Sequence, residues 1–193
     1  DEVRAAGLAE VAEATGAAPY LMHQVHGVAV HEVEDAAEPT PDADALLTRR
    51  PGIALLARAA DCVPVLLVAD NGVVGAVHAG REGVRRGVVN ATVDRMRELG
   101  AGGIRGWIGP HVCGGCYEVP EDMRAEVAAV VPAAAATTRW GTPALDLGAG
   151  VRAQLQESEV ATTEVGGCTR EDERLHSHRR DGADAGRLAG VVW

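Results

Sequence analysis

The sequence predicts an α+β (mixed α/β) fold, and three observations carry that reading. Apolar runs of strand length recur at Ile53 to Ala57, Val63 to Ala69 and Val73 to Val77. Asn71-Gly72 joins the last two, and this dipeptide readily takes the left-handed angles of a tight hairpin. Stretches with helical spacing fall between and after the strands, and the order mixes hairpins with helices instead of repeating the βαβ unit of a Rossmann sheet.

Taken in order, residues 2 to 15 predict a helix, because Val3, Leu8, Val11 and Ala12 recur at near-helical spacing and Gly16 ends the pattern. Strands follow at Tyr20 to Val25 and Val28 to Val33, flanking Gly27. A loop rich in Pro, Asp and Glu then leads to DADALLT at 42 to 48 and the three apolar runs. After His78, Gly80 and Gly83 turn the chain into one helix from about Val84 to Leu99, whose Val84, Val88, Ala91, Thr92, Met96 and Leu99 form a core stripe. Its N-terminus, just past His78, is expected to favour an anion. Ile104 to Ile108 predicts a strand and Glu121 to Val131 a helix behind Pro120. Residues 133 to 142 read as an Ala/Thr-rich connection, Gly148 to Gln156 as a helix and Gly190 to Trp193 as a terminal strand.

A chain of 193 residues suits one domain over 1 to 193 with a sizeable core, and it contains no internal repeat. It begins at Asp1 without a methionine, which leaves room for a native segment ahead of it. Four irregularly spaced cysteines do not make a secreted disulfide framework, and a working thiol persists under reducing conditions, so the cytoplasm is the expected compartment. No signal peptide is visible, and the longest apolar run, Cys62 to Ala69, falls far below the ~20 residues that span a bilayer. A net charge of −10 with no lysine argues against nucleic acid or an anionic membrane as partner. The arginines crowd the last quarter, at Arg170, Arg174, Arg179, Arg180 and Arg187. Such a crowd fits either a phosphate or carboxylate site or a solvated surface run.

His26, Cys62 and His78 stand where three apolar runs meet polar loops, in MHQVHG, ADCVPVLL and VVGAVHAG. Three ligands at wide spacing suit a catalytic metal site with an open position, whereas structural sites close with four at short paired spacings. A buried thiol between two strand-end histidines fits the spacing equally well. Cys113 and Cys116 form a C-x-x-C that nothing in the sequence completes, which points to a structural or pocket-lining role.

These motifs, with DADALLT, IGPHVCGGCYEV at 108 to 119, ALDL at 144 to 147, CT at 168 to 169 and SHRRDGADAGRLAGVVW at 177 to 193, resemble the YfiH-like family, also called the multicopper polyphenol oxidase or laccase-domain family. The resemblance runs from about Tyr20 to Trp193. It implies layered mixed β-sheets covered by helices, and a zinc ion held by His26, Cys62 and His78. It also implies phosphorolysis of purine nucleosides, methylthioadenosine included, with adenosine deamination in the same site. Nucleoside and phosphate are then the partners. Cys62, His78 and Asp61 are the expected catalytic groups, with Asp44, Arg58, Arg179 and Arg180 binding substrate. Asp44 and Asp61 can alternatively orient a ligand histidine, and His178 is a further candidate substrate contact. His23 and His31 read as surface or supporting residues, and His111 is left without a role.

One departure stands out at HAGREG, 78 to 83, where the family typically reads H-A-G-W-R-G; Glu82 there is expected to repel anions. Three other functions remain open. A Cys62/His78 dyad suits a cysteine hydrolase or amidase acting on cell-wall precursors. A copper polyphenol oxidase, with copper in place of zinc, follows the family's older name, although a trinuclear cluster needs more histidines than this pair. A non-enzymatic binding module leaves the open metal position without a purpose.

Overall fold

The computed structural model describes residues 2 to 193. Eleven strands and six α-helices occur among them in mixed order. The largest sheet has six strands in the order β10-β7-β5-β6-β3-β2. These are β2 (Val30–Glu32), β3 (Ala45–Thr48), β5 (Val63–Val68), β6 (Val74–Ala79), β7 (Arg105–Ile108) and β10 (Ala161–Glu164). Its centre is the predicted hairpin, with Val68 opposite Val74 and Gly72 at φ 84 in the turn. The two outermost pairs, β2 with β3 and β10 with β7, are parallel, and the rest are antiparallel. A second sheet joins β1 (Ala18–Tyr20), β4 (Ile53–Ala59) and β11 (Leu188–Val192), with β4 in the middle.

The two-residue period of the strands sorts their side chains into layers. Val63, Val65 and Leu67 of β5, with Val77 and Ala79 of β6, face helices α2 (Arg81–Arg86), α3 (Val88–Glu98) and α5 (Leu147–Glu157), where they meet Val84, Val89, Met96 and Val151. The alternate residues Leu46, Val74 and Ala76 face the three-stranded sheet and pack on Leu55, Ala57 and Val192. On the far side of that sheet, Ala54 and Leu56 are covered by Leu8 and Val11 of α1 (Glu2–Thr15). The layers therefore run α1, small sheet, large sheet, helices. The side chain of Val3, expected in the α1 stripe, lies outside the described residues.

Several boundaries differ from expectation for physical reasons. The predicted helix from Val84 to Leu99 is two helices, because Gly87 takes φ 81, closing α2 and opening α3. Tyr20 to Val25 is a strand only to Tyr20, since the residues after it turn to build the site. The Ala/Thr-rich connection folds as a short 3₁₀ turn and a hairpin of β8 (Ala135–Thr137) with β9 (Pro143–Leu145). Between β7 and β8 lies α4 (Glu121–Ala128), and α6 (His178–Asp181) precedes β11. Among the described residues no helix is long and apolar enough to cross a membrane.

Candidate metal centre and its cavity

His78 lies near the end of β6 in step with Val74 and Ala76, so the strand period turns its ring toward the space between the sheets. Cys62 immediately precedes β5, whose Pro64 is registered opposite His78. His26 arrives from the loop between β1 and β2, held at φ 59, a left-handed angle that is uncommon outside glycine.

Asp44 organises the group. Fully buried, its carboxylate accepts from the backbone N–H groups of Val25 (3.3 Å), His26 (3.0 Å) and Gly27 (2.6 Å), and from Nδ1 of His78 at 2.8 Å. The last bond fixes the imidazole with Nδ1 as donor and leaves Nε2 as the free nitrogen. Burial raises the Asp44 carboxyl, but His78 and the Gly27 and His26 N–H groups bring it below the ordinary carboxylate value.

Ligand atoms of His26, Cys62 and His78 all lie within 4.8 Å of one another. Cys62 Sγ is 4.0 Å from His26 Nε2, and the two imidazole rings meet edge to face at 4.9 Å and 83°. Zinc–sulfur and zinc–nitrogen bonds of about 2.3 and 2.0 Å in a tetrahedron separate the two donors by about 3.5 Å, so two nitrogens and a thiolate fit an ion here with small adjustments. Gly80 lets the chain pass behind them: a Cβ there would meet His26 Cδ2 at 2.8 Å and Cys62 Sγ at 3.4 Å. Burial opposes ionisation of Cys62, yet hydrogen bonding and the charges of His26 and His78 lower the thiol to about 6. Burial likewise disfavours imidazolium at His78, but its bonds to Asp44 and Cys62 raise it to about 9.

The three residues open into a cavity of about 910 Å³ that runs from α1 to the loop before β11. Three arginines line it, Arg4, Arg58 and Arg187, with His178 and His23 beside them, and Arg187 Nη1 donates to the Ala185 and Gly186 carbonyls at 2.6 and 2.8 Å. Arg58 Nε is buried and has no hydrogen-bond partner among the described residues. Its pKa is lowered by burial and by the neighbouring charges of Arg4 and Arg187. An unpaired guanidinium N–H facing like charges is a group arranged for an anion.

The other expected site residues, the catalytic candidate Asp61 and the substrate contacts Asp44, Arg179 and Arg180, lie outside the cavity lining. Asp44 lies behind His78 with its oxygens occupied. Asp61, at φ 91, accepts from Thr169 Oγ1 and from the Arg179 N–H, both at 2.6 Å, and does not line the cavity. Arg180 donates to the carbonyls of Thr169 (2.9 Å) and Leu175 (2.7 Å) and pairs with Asp181, so its guanidinium fastens a loop. Arg179 stacks on Tyr117 at 4.7 Å in a neighbouring cavity. Of the crowded arginines, Arg174 is paired with Asp172, Arg170 packs on Trp140, and Arg187 alone reaches the main cavity. Glu82 accepts from Arg81 (2.6 Å) and from Arg85 Nη2 (2.8 Å), which offsets the repulsion expected of it. The helix that starts after His78 is the short α2, which carries Glu82 in its first turn.

A family model described as multi-copper polyphenol oxidoreductase laccase matches residues 2–193. The chain belongs to that family. A purine nucleoside phosphorylase of Streptomyces coelicolor is 54% identical over 180 residues, covering 89% of this chain and 73% of the relative. One of Mycobacterium tuberculosis is 45% identical over 177 residues, covering 89% and 70%. Among solved structures, protein NMB0706 of Neisseria meningitidis superposes with TM-score 0.84 at 28% identity, over 95% of this chain and 78% of the other. YlmD of Geobacillus stearothermophilus does so with TM-score 0.82 at 30% identity, over 94% and 76%. The sequence marks Arg187 only as one of the crowded arginines and gives Gln24 no role of its own. Gln24 brackets Arg58, donating to its carbonyl at 2.7 Å and accepting from its N–H at 2.9 Å. Only its place in MHQVHG hinted at this.

Proposed function

We propose that this chain is a zinc-dependent purine nucleoside phosphorylase, with phosphate held by Arg58 and Arg187 beside the His26, Cys62 and His78 centre. The observation that carries the reading is the juxtaposition of a three-donor centre with a cavity whose buried Arg58 Nε lacks a partner. Relatives named purine nucleoside phosphorylase support it over most of the chain's length. In phosphorolysis a phosphate oxygen bonds to C1′ of the sugar, the C1′–N9 bond breaks, and the purine leaves with the proton that phosphate gives up. Zinc, when bound, supplies a Lewis acid that polarises a substrate oxygen or acidifies a water. Arg58 and Arg187 hold the nucleophile by charge-assisted hydrogen bonds. Asp44 keeps the His78 ring in one orientation, and Arg4, Leu8 and Val11 of α1 line one side of the cavity.

A donor set of two imidazoles and one thiolate suits zinc with a place left open. Copper also accepts that set, but multicopper oxidation needs a cluster for which these residues offer too few histidines. A hydrolytic dyad uses one imidazole, and here a second, His26, faces the same sulfur. The same residues would serve phosphorolysis of methylthioadenosine, and a zinc ion held by His26, Cys62 and His78 would supply the water activation that deamination of adenosine requires.

The test is turnover of inosine, adenosine and methylthioadenosine with phosphate, followed by chromatography for free base and sugar 1-phosphate. Chelation should abolish turnover and zinc should restore it. Full activity in a protein proven metal-free would exclude the metal reading, and nucleoside loss without phosphate consumption would reassign the site to deamination.

A further inference from the structure

Away from that centre, Cys113, Cys116, Cys168 and Glu171 bring four ligand atoms within 4.8 Å of one another. The sequence leaves Cys113-x-x-Cys116 without a partner; the fold supplies one from the loop after β10. Two tight turns build the cluster. In the first, the N–H groups of Cys116 and Tyr117 both donate to the Cys113 carbonyl, at 2.9 and 3.0 Å. In the second, the N–H groups of Glu171 and Asp172 both donate to the Cys168 carbonyl, at 3.1 and 3.0 Å. Each turn thus offers a pair of ligands at i and i+3, the paired spacing of closed structural zinc sites.

The turns are locked to each other and to the protein. Cys113 N–H donates to Cys168 Sγ at 3.4 Å, and Cys116 Sγ donates to Glu171 Oε1 at 3.3 Å. A Cβ at Gly114 would lie 2.8 Å from Asp146 Cβ, and one at Gly115 would lie 3.2 Å from Arg139 Cγ, so the first turn is pressed against its surroundings. Cys116 is buried, Cys113 and Cys168 are half-buried, and Glu171, paired with Arg139, forms the outer edge.

We propose that Cys113, Cys116, Cys168 and Glu171 form a second metal site, closed and structural, for a thiophilic divalent cation such as zinc. Three sulfurs and one carboxylate oxygen complete four-coordination and leave no position for a substrate. Binding exchanges thiol protons for the ion, with no change of oxidation state. What the ion braces follows from the neighbouring bonds. Thr169, next to Cys168, donates its hydroxyl to Asp61 and its N–H to the His111 carbonyl at 3.0 Å, while Val112 N–H donates to the Asp61 carbonyl at 3.1 Å. Linking Cys113 to Cys168 therefore fixes both segments that hold Asp61, the residue before Cys62.

The test is the metal content of the reduced wild type and of Cys62→Ala, Cys113→Ser and Cys168→Ser, with a cobalt(II) spectrum of Cys62→Ala. Two equivalents in the wild type, one in each variant and a strong thiolate-to-cobalt charge-transfer band in Cys62→Ala are expected. Wild-type stoichiometry in both serine variants would overturn the site, as would the absence of that band. If the serine variants fail to fold, the cobalt spectrum of Cys62→Ala decides alone. Two free thiols in place of four in protein prepared without reductant, with no cation taken up after reduction, would reassign the cluster to a disulfide. A single equivalent that survives Cys62→Ala and is lost in Cys168→Ser would refute the first centre while supporting this one.

Discussion

Asp44 accepts from three backbone N–H groups and from His78, four donors on one carboxylate. An amide has a single acceptor oxygen, so Asp44→Asn leaves buried donors unmet and frees the His78 ring to turn. Metal affinity should fall about 10- to 100-fold, as read by competitive chelator titration; an unchanged affinity would show that Asp44 serves folding alone. At the other side of the cavity, Arg58→Gln should raise the phosphate KM about 10- to 100-fold with a smaller change in kcat, the weight of one charge-assisted hydrogen bond. Arg180→Gln, whose guanidinium is spent on carbonyls, should leave that KM close to wild type. At this scale His26, Cys62 and His78 are legible in the sequence, because each carries a distinctive motif. The presence of Arg187 in the cavity in place of Arg179 and Arg180 is not, because it depends on how the loop before β11 folds, where Arg187 donates to the Ala185 and Gly186 carbonyls at 2.6 and 2.8 Å.

Some family motifs turn out to shape elements. Asp146 of ALDL caps α5, its Oδ1 accepting from Ala149 N–H at 2.8 Å, and Ser177 caps α6 by accepting from Arg180 N–H at 3.2 Å. Asp146→Ala should destabilise the fold by about 1 kcal/mol, measurable by denaturant unfolding with the slope unchanged. The central strands are tighter still. A Cβ at Gly75 of β6 would lie 2.7 Å from Leu47 Cδ2, so Gly75→Ala should cost about 1–3 kcal/mol through overpacking. The apolar strands β4, β5 and β6 are readable from composition since both faces are covered. Strand β10 is not, because all four residues of its ATTE sequence are exposed at a sheet edge and show no alternation. The break at Gly87 could be foreseen from the glycine itself, but the apolar stripe runs through it undisturbed.

On the scale of the molecule, local periodicity specifies strands and helices without specifying how they stack. The four layers follow only when the alternate faces of β4 and β5 are each given a partner, and the cavity is lined jointly by α1, the end of β4 and the loop before β11, segments far apart in sequence. Both proposed metal centres draw on segments distant in sequence, so chelation should lower the unfolding midpoint. An ion present at 100 times its dissociation constant contributes about 2.7 kcal/mol, which corresponds to roughly 5–10 °C for a chain of this size. A midpoint unmoved by exhaustive chelation, with metal loss verified by elemental analysis, would deny both sites a stabilising role.

The left-handed angles of His26 and Asp61 have an evolutionary consequence. Each holds a non-glycine backbone in a sparsely populated region at a cost of order 1–3 kcal/mol. Among the described residues, the His26 side chain is held only by its weak approach to Cys62 and its edge-to-face contact with the His78 ring. Compared as metal-free proteins, His26→Gly should therefore be more resistant to unfolding than the wild type, while losing the metal-dependent activity proposed above. In a lineage released from selection for turnover, this position would be among the first to drift, and a glycine there would mark a descendant that kept the architecture after giving up the chemistry.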